Sequence, residues 1–330
     1  ALLAYIGLTR VGRAPALRPP RRADASATMI IDQATRASLE LLQAQSGGRE
    51  GSLIGAIDRT VSGPGARLLA ARLSAPLTDP AAINARLDSV ETLAREGRVL
   101  EAMREALGAT PDMARALSRL ALARGGPRDL AAIRDGLSGA REIAGLLRGV
   151  GRAAPLPKEL ADNAAALEAN GGAEFSELLR LLSDALSESL PLLSRDGGFI
   201  ARGFDPVLDA VKELRDESRR GIARPEASFR AGSGLKAPEI RHNNVLGYFV
   251  EVPPTQADRL MAGPKAARFI HRQTLASAVR FTTTELADLD SRIARARDEA
   301  LARELEIFDR LANAVIGAAD AIGAAAEAIA

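Results

Sequence analysis

Residues 284–308 read TELADLDSRIARARDEALARELEIF. Leu286, Leu289, Ile293, Ala296 and Ala300 recur at spacings of three and four, which lines one face of an α-helix and leaves the charged residues on the other. From Leu301 the apolar positions step sideways to Leu305 and Phe308, so the seam is predicted to shift there. Upstream, Leu208, Val211, Leu214, Ser218, Ile222 and Phe229 keep the same spacing or a multiple of it. They predict a second long helix from about Asp205 to Phe229, roughly 38 Å at 1.5 Å per residue. Pro225 lies within it, has no backbone donor, and predicts a kink or an early end near Arg224.

Between these helices the period changes. Ile240, His242 and Asn244 alternate with Arg241, Asn243 and Val245, and Tyr248, Val250 and Val252 alternate with Phe249 and Glu251, which is the period of strands. The simplest geometry is a pair of antiparallel helical arms carrying a small sheet at their tip. The charge also changes there. Between Arg219 and Thr282 stand 11 Lys or Arg against 4 acids, in a chain whose net charge is only +2. Half of the ten aromatics and both histidines lie in the same stretch. A solvated β-containing subdomain would account for this, and so would an anion-binding surface.

Further out the chain is helical. Residues 1–27, with Arg18-Pro19-Pro20-Arg21-Arg22, read as an extended entry linker. Asp32 is predicted to cap a helix to about Gln45, Asp79-Pro80 to open one to about Glu96, and Thr110-Pro111 one to Arg124. Pro127 begins another to about Arg148, followed by patterns at Leu156–Glu168 and Glu174–Ser189. The predicted fold is mainly α, a helical bundle with two long lever helices and a small β-containing subdomain. The expected divisions are a linker over 1–27, a helical core over 28–204, an insertion with a basic β tip over 205–282, and a returning helix over 283–330.

With 330 residues there is room for two domains, and aromatics at 3% mean a core of small aliphatic side chains, which suits packed helices. The absence of Cys excludes a disulfide framework, a thiolate metal site and a cysteine nucleophile. His242 and His271 are the only histidines and have no acidic third ligand nearby in sequence, so a metal role is disfavoured. None of the four lysines follows glycine, which excludes a phosphate-binding P-loop, and there is no Gly-x-Ser-x-Gly elbow or Gly-x-Gly-x-x-Gly turn. Carboxylate groups such as Glu213, Asp216 and Glu217 fall on helical patterns beside arginines, as solvated pairs do. The chain itself is predicted not to be an enzyme and to hold no cofactor. No uncharged apolar run approaches the ~18 residues of a membrane span, and no signal pattern opens the chain, so a cytoplasmic setting is expected. The Ala-rich close through Ala330, with no helix stop, leads us to expect a piece of a longer protein.

The strongest candidate surface is the basic tip. Arg241, His242 and Asn243 precede a strand, and Arg268, His271, Arg272, Gln273, Thr274, Ser277 and Arg280 follow in one short stretch. Arginine forks onto phosphate oxygens and the neutral polar residues donate to the same backbone, a mixture suited to sequence-independent duplex contact.

Several motifs then stand in one order: Met29-Ile30-Ile31-Asp32, Asp58-Arg59-Thr60, Arg119-Leu120-Ala121 with Gly126-Pro127-Arg128-Asp129-Leu130, and Arg195-Asp196-Gly197-Gly198. Two longer ones follow, His242-Asn243-Asn244-Val245-Leu246-Gly247-Tyr248-Phe249, and His271-Arg272-Gln273-Thr274-Leu275 continuing to Arg280-Phe281-Thr282. Together they resemble the MutS family of DNA mismatch repair proteins over nearly the whole chain, in the region of that family's levers and inserted clamp.

The resemblance implies a parent in which an N-terminal domain reads the mismatch, a C-terminal ATPase switches it, and levers and clamp enclose double-stranded DNA. ATP and magnesium would belong to that ATPase domain, together with most of a homodimer interface, and a downstream factor of the MutL type would be a further partner. A bacterial, nucleoid-associated setting follows. The family's Phe-x-Glu reading triplet belongs to the N-terminal domain, so Phe175-Ser176-Glu177 and Phe249-Val250-Glu251 are read as structural, and the Gly126–Leu130 motif as a junction between helices. Pro225, Ala276 and Ser277 depart from the family pattern, the last two where many members carry larger polar or basic residues, which bears on the strength of tip contact. The alternatives are a mechanical coupling scaffold with no measurable DNA binding in isolation, and the core of a recombination-type relative.

Overall fold

The computed structural model describes residue 5 and residues 27–169, 172–220, 239–243, 245–262 and 268–330. Two compact units are present, one formed by Ala1–Ser194 with Phe308–Ala330, the other by Arg195–Ile307. The first is helical: α1 (Gln33–Ser38), α2 (Leu53–Ile57), α3 (Gly63–Ser74), α4 (Pro80–Arg95), α5 (Gly97–Ala109), α6 (Met113–Ala121), α7 (Pro127–Ala153), α8 (Lys158–Ala169) and α9 (Ala173–Ala185), with α13 (Ala319–Ile329) packed among them. No single helix among the described residues is long and apolar enough to cross a membrane.

α7 is the centre of this unit, and its neighbours α5, α6, α8, α9 and α13 all pack on it. Leu130, Ile133, Leu137, Ala140, Ala144, Leu147 and Val150 repeat at helical spacing and are buried, each large aliphatic contributing about 1.5–3 kcal/mol. Gly136 lets α6 approach: a Cβ there would lie 2.1 Å from Cγ of Met113, which is itself buried. The start of α7 is fixed by chemistry readable in the sequence. Pro127 has no N–H to leave orphaned, and Asp129 Oδ2 accepts the Gly126 N–H at 2.9 Å. Arg119 of α6 donates Nε to Asp129 Oδ1 at 2.7 Å, and that bond pushes the guanidinium above its ordinary range. Arg128 Nε reaches the Leu190 carbonyl at 3.2 Å. The Gly126–Leu130 motif is a junction between helices.

The helix expected from Asp32 to Gln45 is shorter. Asp32 does cap it, accepting from the Thr35 N–H at 2.9 Å, but α1 stops at Ser38. Glu40 takes φ 49°, and the Leu41 carbonyl accepts from the Ile54 N–H at 3.0 Å. Leaving the helix brings both Leu41 and Ile54 into the core. The helices α3 and α5 were not foreseen because each begins with glycine, which reads as a breaker; Ser62 Oγ caps α3 by accepting from the Gly65 N–H at 3.1 Å.

The second unit contains α10 (Pro206–Arg220), β1 (Glu239–Asn243), β2 (Gly247–Val252), α11 (Pro254–Ala262), β3 (Ile270–Thr274), β4 (Val279–Thr282) and most of α12 (Thr284–Gly317). Residues 221–238, including Ile222, Arg224, Pro225 and Phe229, lie outside the described residues, and the expected kink with them. The strands form one antiparallel sheet in the order β1-β2-β4-β3. Val250, Val252, Val279 and Phe281 on its inner face pack with Ala257 and Leu260 of α11, Phe269, and Leu286 from the first turn of α12.

The seam of α12 does not shift as the sequence suggested. Leu286, Ile293, Ala296, Ala300, Glu304 and Ile307 are buried in one register, while Leu301, Leu305 and Phe308 are half-buried. Glu304, 1% exposed, occupies a seam position because it is paired there: Oε2 accepts the Gly198 N–H at 2.5 Å, and Oε1 lies 2.7 Å from Lys212 Nζ of α10. Gly197 and Gly198 have φ of 69° and 80°, a conformation glycine adopts freely, and this aims the Gly198 N–H at the carboxylate. At the neighbouring residue of α12, Arg303 Nη2 is held at 2.8 Å by Asp205, which also caps α10 through the Leu208 N–H at 2.9 Å, and this pushes Arg303 well above its ordinary range.

Candidate nucleic-acid interface

The ten tip residues separate into three groups on the sheet. β3 is an edge strand, exposed along its whole length. Its register with β4 slips between His271 and Gln273: His271 stands opposite Phe281 and Gln273 opposite Arg280, leaving Arg272 as the extra residue of a β-bulge. The Arg272 side chain is exposed and has no hydrogen-bond or ion-pair partner among the described residues. His271 Nε2 and Thr274 Oγ1 lie 2.8 Å apart, with the imidazole edge-on to Phe281 at 5.8 Å. Ser277 is exposed in the turn that follows. This edge collects His271, Arg272, Thr274 and Ser277.

A second group lies on the outer face. Glu251, Arg280 and Gln273 stand in register across β2, β4 and β3, with Glu239 of β1 opposite Glu251 and Arg241 opposite Phe249 on the same face. Arg241 Nη1 is 3.1 Å from Glu251 Oε1, Arg280 donates Nε to Glu251 Oε2 at 2.8 Å, and Arg280 Nη1 donates to Gln273 Oε1 at 2.9 Å. The Arg280 guanidinium also lies 4.8 Å above the Phe249 ring. Arg280 is thus a structural member of the sheet as much as a surface cation.

The remaining three residues face elsewhere. His242 lies on the opposite face from Arg241, 4.7 Å from the Tyr248 ring and 3.8 Å from Asp290 of α12. Gly247 allows this approach, since a Cβ there would lie 2.4 Å from Asp290 Oδ2. Asn243 Oδ1 accepts from the N–H groups of Val245 and Leu246 at 3.0 and 2.7 Å, an Asx turn that closes the β1–β2 hairpin. Arg268 pairs with Glu285 at 3.0 Å.

The sequence count of basic residues overstated the free charge. Glu285 and Asp290 stand just beyond Thr282 in sequence, yet meet Arg268 and His242 in space, and Glu251 answers two arginines at once. Helical spacing could have revealed the first two, because both lie in the first two turns of α12. His242 and His271 are on strands β1 and β3, the two opposite edges of the sheet. No cluster of three or more His, Cys, Asp or Glu suited to a metal occurs among the described residues. Phe175 and Phe249, the aromatic members of the two Phe-x-Glu triplets, are both buried.

A helical core, an inserted antiparallel sheet and a basic exposed edge strand define the class. The chain belongs to the MutS domain III family, whose model matches residues 34–330. It is 51% identical over its whole length to proteins named DNA mismatch repair protein MutS from Nitrobacter winogradskyi, from Rhodopseudomonas palustris and from Paracoccus denitrificans. The chain spans about a third of the length of these relatives, 36%, 35% and 36% in the three cases of N. winogradskyi, R. palustris BisB5 and P. denitrificans.

Proposed function

We propose that the β-bearing unit holds duplex DNA through sequence-independent contacts with the phosphate backbone, as the clamp of a bacterial mismatch repair protein. The observation that carries the reading is edge strand β3, exposed from end to end, with the bulge residue Arg272 presenting a guanidinium that has no partner among the described residues, beside His271, Thr274 and Ser277. An arginine supplies charge and a planar fork, and the neutral groups supply short-range hydrogen bonds, with no base edge required. Arg241 and Arg280 add charge from the outer face, while Arg268, His242 and Asn243 serve chiefly to hold the sheet to α12 and to close its hairpin.

In the whole protein, a cytoplasmic one on this reading, the clamp would be coupled to an ATPase domain that binds ATP and magnesium. A homodimer partner and a downstream factor of the MutL type would complete the assembly. The chain's own residues supply no phosphate loop, so no step through ATP is assigned to them. Supporting the coupling is α12, 34 residues and about 51 Å of uninterrupted helix whose first turn contributes Leu286 to the core of the sheet.

The test is a titration of a labelled duplex of about 30 base pairs, perfectly paired and singly mismatched, at several salt concentrations. With roughly 3–5 phosphates neutralised, log affinity falls against log salt with a slope of about −3 to −4.5 and ignores the mismatch. Arg272→Glu weakens binding and makes the slope shallower by about 1 without changing the circular dichroism. Unchanged affinity in that variant would remove β3 from the interface, and a mismatch preference would contradict backbone contact.

A further inference from the structure

The bulge in β3 brings together two side chains that a regular strand would hold apart. Residues three apart in a strand face opposite sides, but the extra residue sets His271 opposite Phe281 and Thr274 opposite Val279, so both belong to one face. His271 Nε2 and Thr274 Oγ1 therefore meet at 2.8 Å, on a strand exposed along its whole length. The chain has no Cys and two His, so His242 and His271 are the side chains whose charge ordinarily changes between about pH 5 and 8. Their surroundings differ. His242 faces Asp290 at 3.8 Å, an anion supplied by the protein itself. His271 has no carboxylate within ion-pair distance among the described residues; its contacts are the Thr274 hydroxyl and the Phe281 ring. Of the charged groups on the elements around it, Arg280 of β4 turns to the opposite face toward Glu251 and Gln273, Arg268 is paired with Glu285 of α12, and Asp258 of α11 is exposed to solvent. Its neighbour Arg272 is a second cation. A protonated His271 thus lacks an anion, and a phosphate from outside would supply one.

We propose that His271 and Thr274 form a proton-controlled phosphate contact, in which protonation of the imidazole strengthens the hold of β3 on the duplex backbone. The proposal rests on the reading of β3 as a duplex-contacting strand. The proton count is the same for either tautomer. A neutral ring and a hydroxyl carry one N–H and one O–H between them; one is spent on the bond that joins them, and one is left to donate outward. Protonation adds another. Nε2–H then donates to Thr274 Oγ1, and both Nδ1–H and the hydroxyl hydrogen are available to phosphate oxygens, together with a positive charge. A phosphate that accepts from them also offsets the repulsion between the imidazolium and Arg272. Binding therefore favours proton uptake, and proton uptake favours binding.

The test measures the affinity of the full 330-residue chain for the same labelled duplex at fixed ionic strength, from about pH 5.5 to about pH 8. Wild type binds about two- to fivefold tighter at the acid end, the range of one exposed ion pair converted to an equilibrium ratio. Its salt slope is steeper there by up to about 0.9, the value of one added phosphate contact. His271→Gln removes this response. His271→Arg, with a permanent charge at the same position, binds at about pH 8 at least as tightly as wild type does at the acid end and shows no pH response, a gain that a misfolded variant could not give. Thr274→Val keeps the charge but loses one outward donor, so it narrows the gain in affinity and leaves the change of slope in place. His242→Gln retains the pH response whatever its affinity. Wild-type affinity that is level across this range, or a response that survives His271→Gln, overturns the proposal. A response lost in His242→Gln and kept in His271→Gln assigns it to the Asp290 pair instead, which overturns the proposal as well. If Arg272→Glu weakens binding while wild-type affinity is level with pH, the His271 contact fails and the duplex-contact reading stands. If no protein in the set binds at low salt at any pH, both fall.

Discussion

In the helical unit the buried face of α7 from Leu130 to Val150 is aliphatic, and the buried carboxylate of that unit, Asp129, sits at the helix start, where it caps Gly126 and receives Arg119. In the β-bearing unit a carboxylate stands in mid-seam instead. Glu304 is surrounded by Ala300, Ile307 and the Gly197-Gly198 turn, and its partners come from distant positions in the chain. A carboxylate at a helix end supplies hydrogen bonds that the backbone lacks there anyway, so removing it costs one cap and one pair. A carboxylate in mid-seam is tolerated only because Lys212 and the Gly198 N–H surround it, and removing it strands both. A buried carboxylate is therefore an accessory at a helix end and a keystone in mid-seam.

The largest expected effect comes from Glu304→Ala. It leaves Lys212 without its buried partner and Gly198 without its acceptor, and breaking such a pair costs about 3–5 kcal/mol. Amide exchange resolves the two units separately: protection falls in β2, β4 and the residue 293–307 turns of α12 and stays high in α7. An equal loss in α7 would abolish the contrast.

Asp129→Ala should be milder and confined to the other unit. It removes the Gly126 cap and the Arg119 pair together, costing about 1–3 kcal/mol, and exchange rises first in the opening turn of α7 and in α6. A cost equal to that of Glu304→Ala would mean that position along the helix does not set the importance of a buried carboxylate.

The smallest effect is a pH dependence in the helical unit. Hydrogen bonds from the Thr60 hydroxyl and N–H, with a further contribution from Arg49, hold Asp58 below its ordinary value of 3.8. A depressed folded-state value means that its stabilisation is fully present above 3.8 and is lost as pH falls through the lower, folded value. Acidification should therefore raise exchange in α2 in the wild type, and Asp58→Asn should flatten that dependence. An identical acid response in the variant would remove Asp58 as the titrating group.

Much of the helical unit was legible because its signals are local. Asp79-Pro80 opens α4 as expected, with Asp79 Oδ1 accepting from the Ala81 N–H at 3.1 Å, and Asp129 lies three residues from the glycine it caps. Strands β1 and β2 were legible through their period of two and fall where alternation placed them. What misled were residues whose partners are remote. The apolar residues Leu301, Leu305 and Phe308 suggested a shifted seam where the buried one runs through the paired Glu304, and Arg280, expected as a backbone contact, is also bound to Glu251, Gln273 and Phe249.

The sequence by itself determined the mainly helical class, the inserted sheet, the family and the stretch that carries the basic residues, because periodicity, caps and motifs are properties of neighbours along the chain. Only the tertiary structure decided which arginines are committed and which are available. That outcome depends on a one-residue bulge in β3, on the strand order that brings Glu251 between Arg241 and Arg280, and on Glu285 and Asp290 returning from α12. Charge is counted along the chain but neutralised through space, where a few ångströms separate a paired guanidinium from one free to take a phosphate.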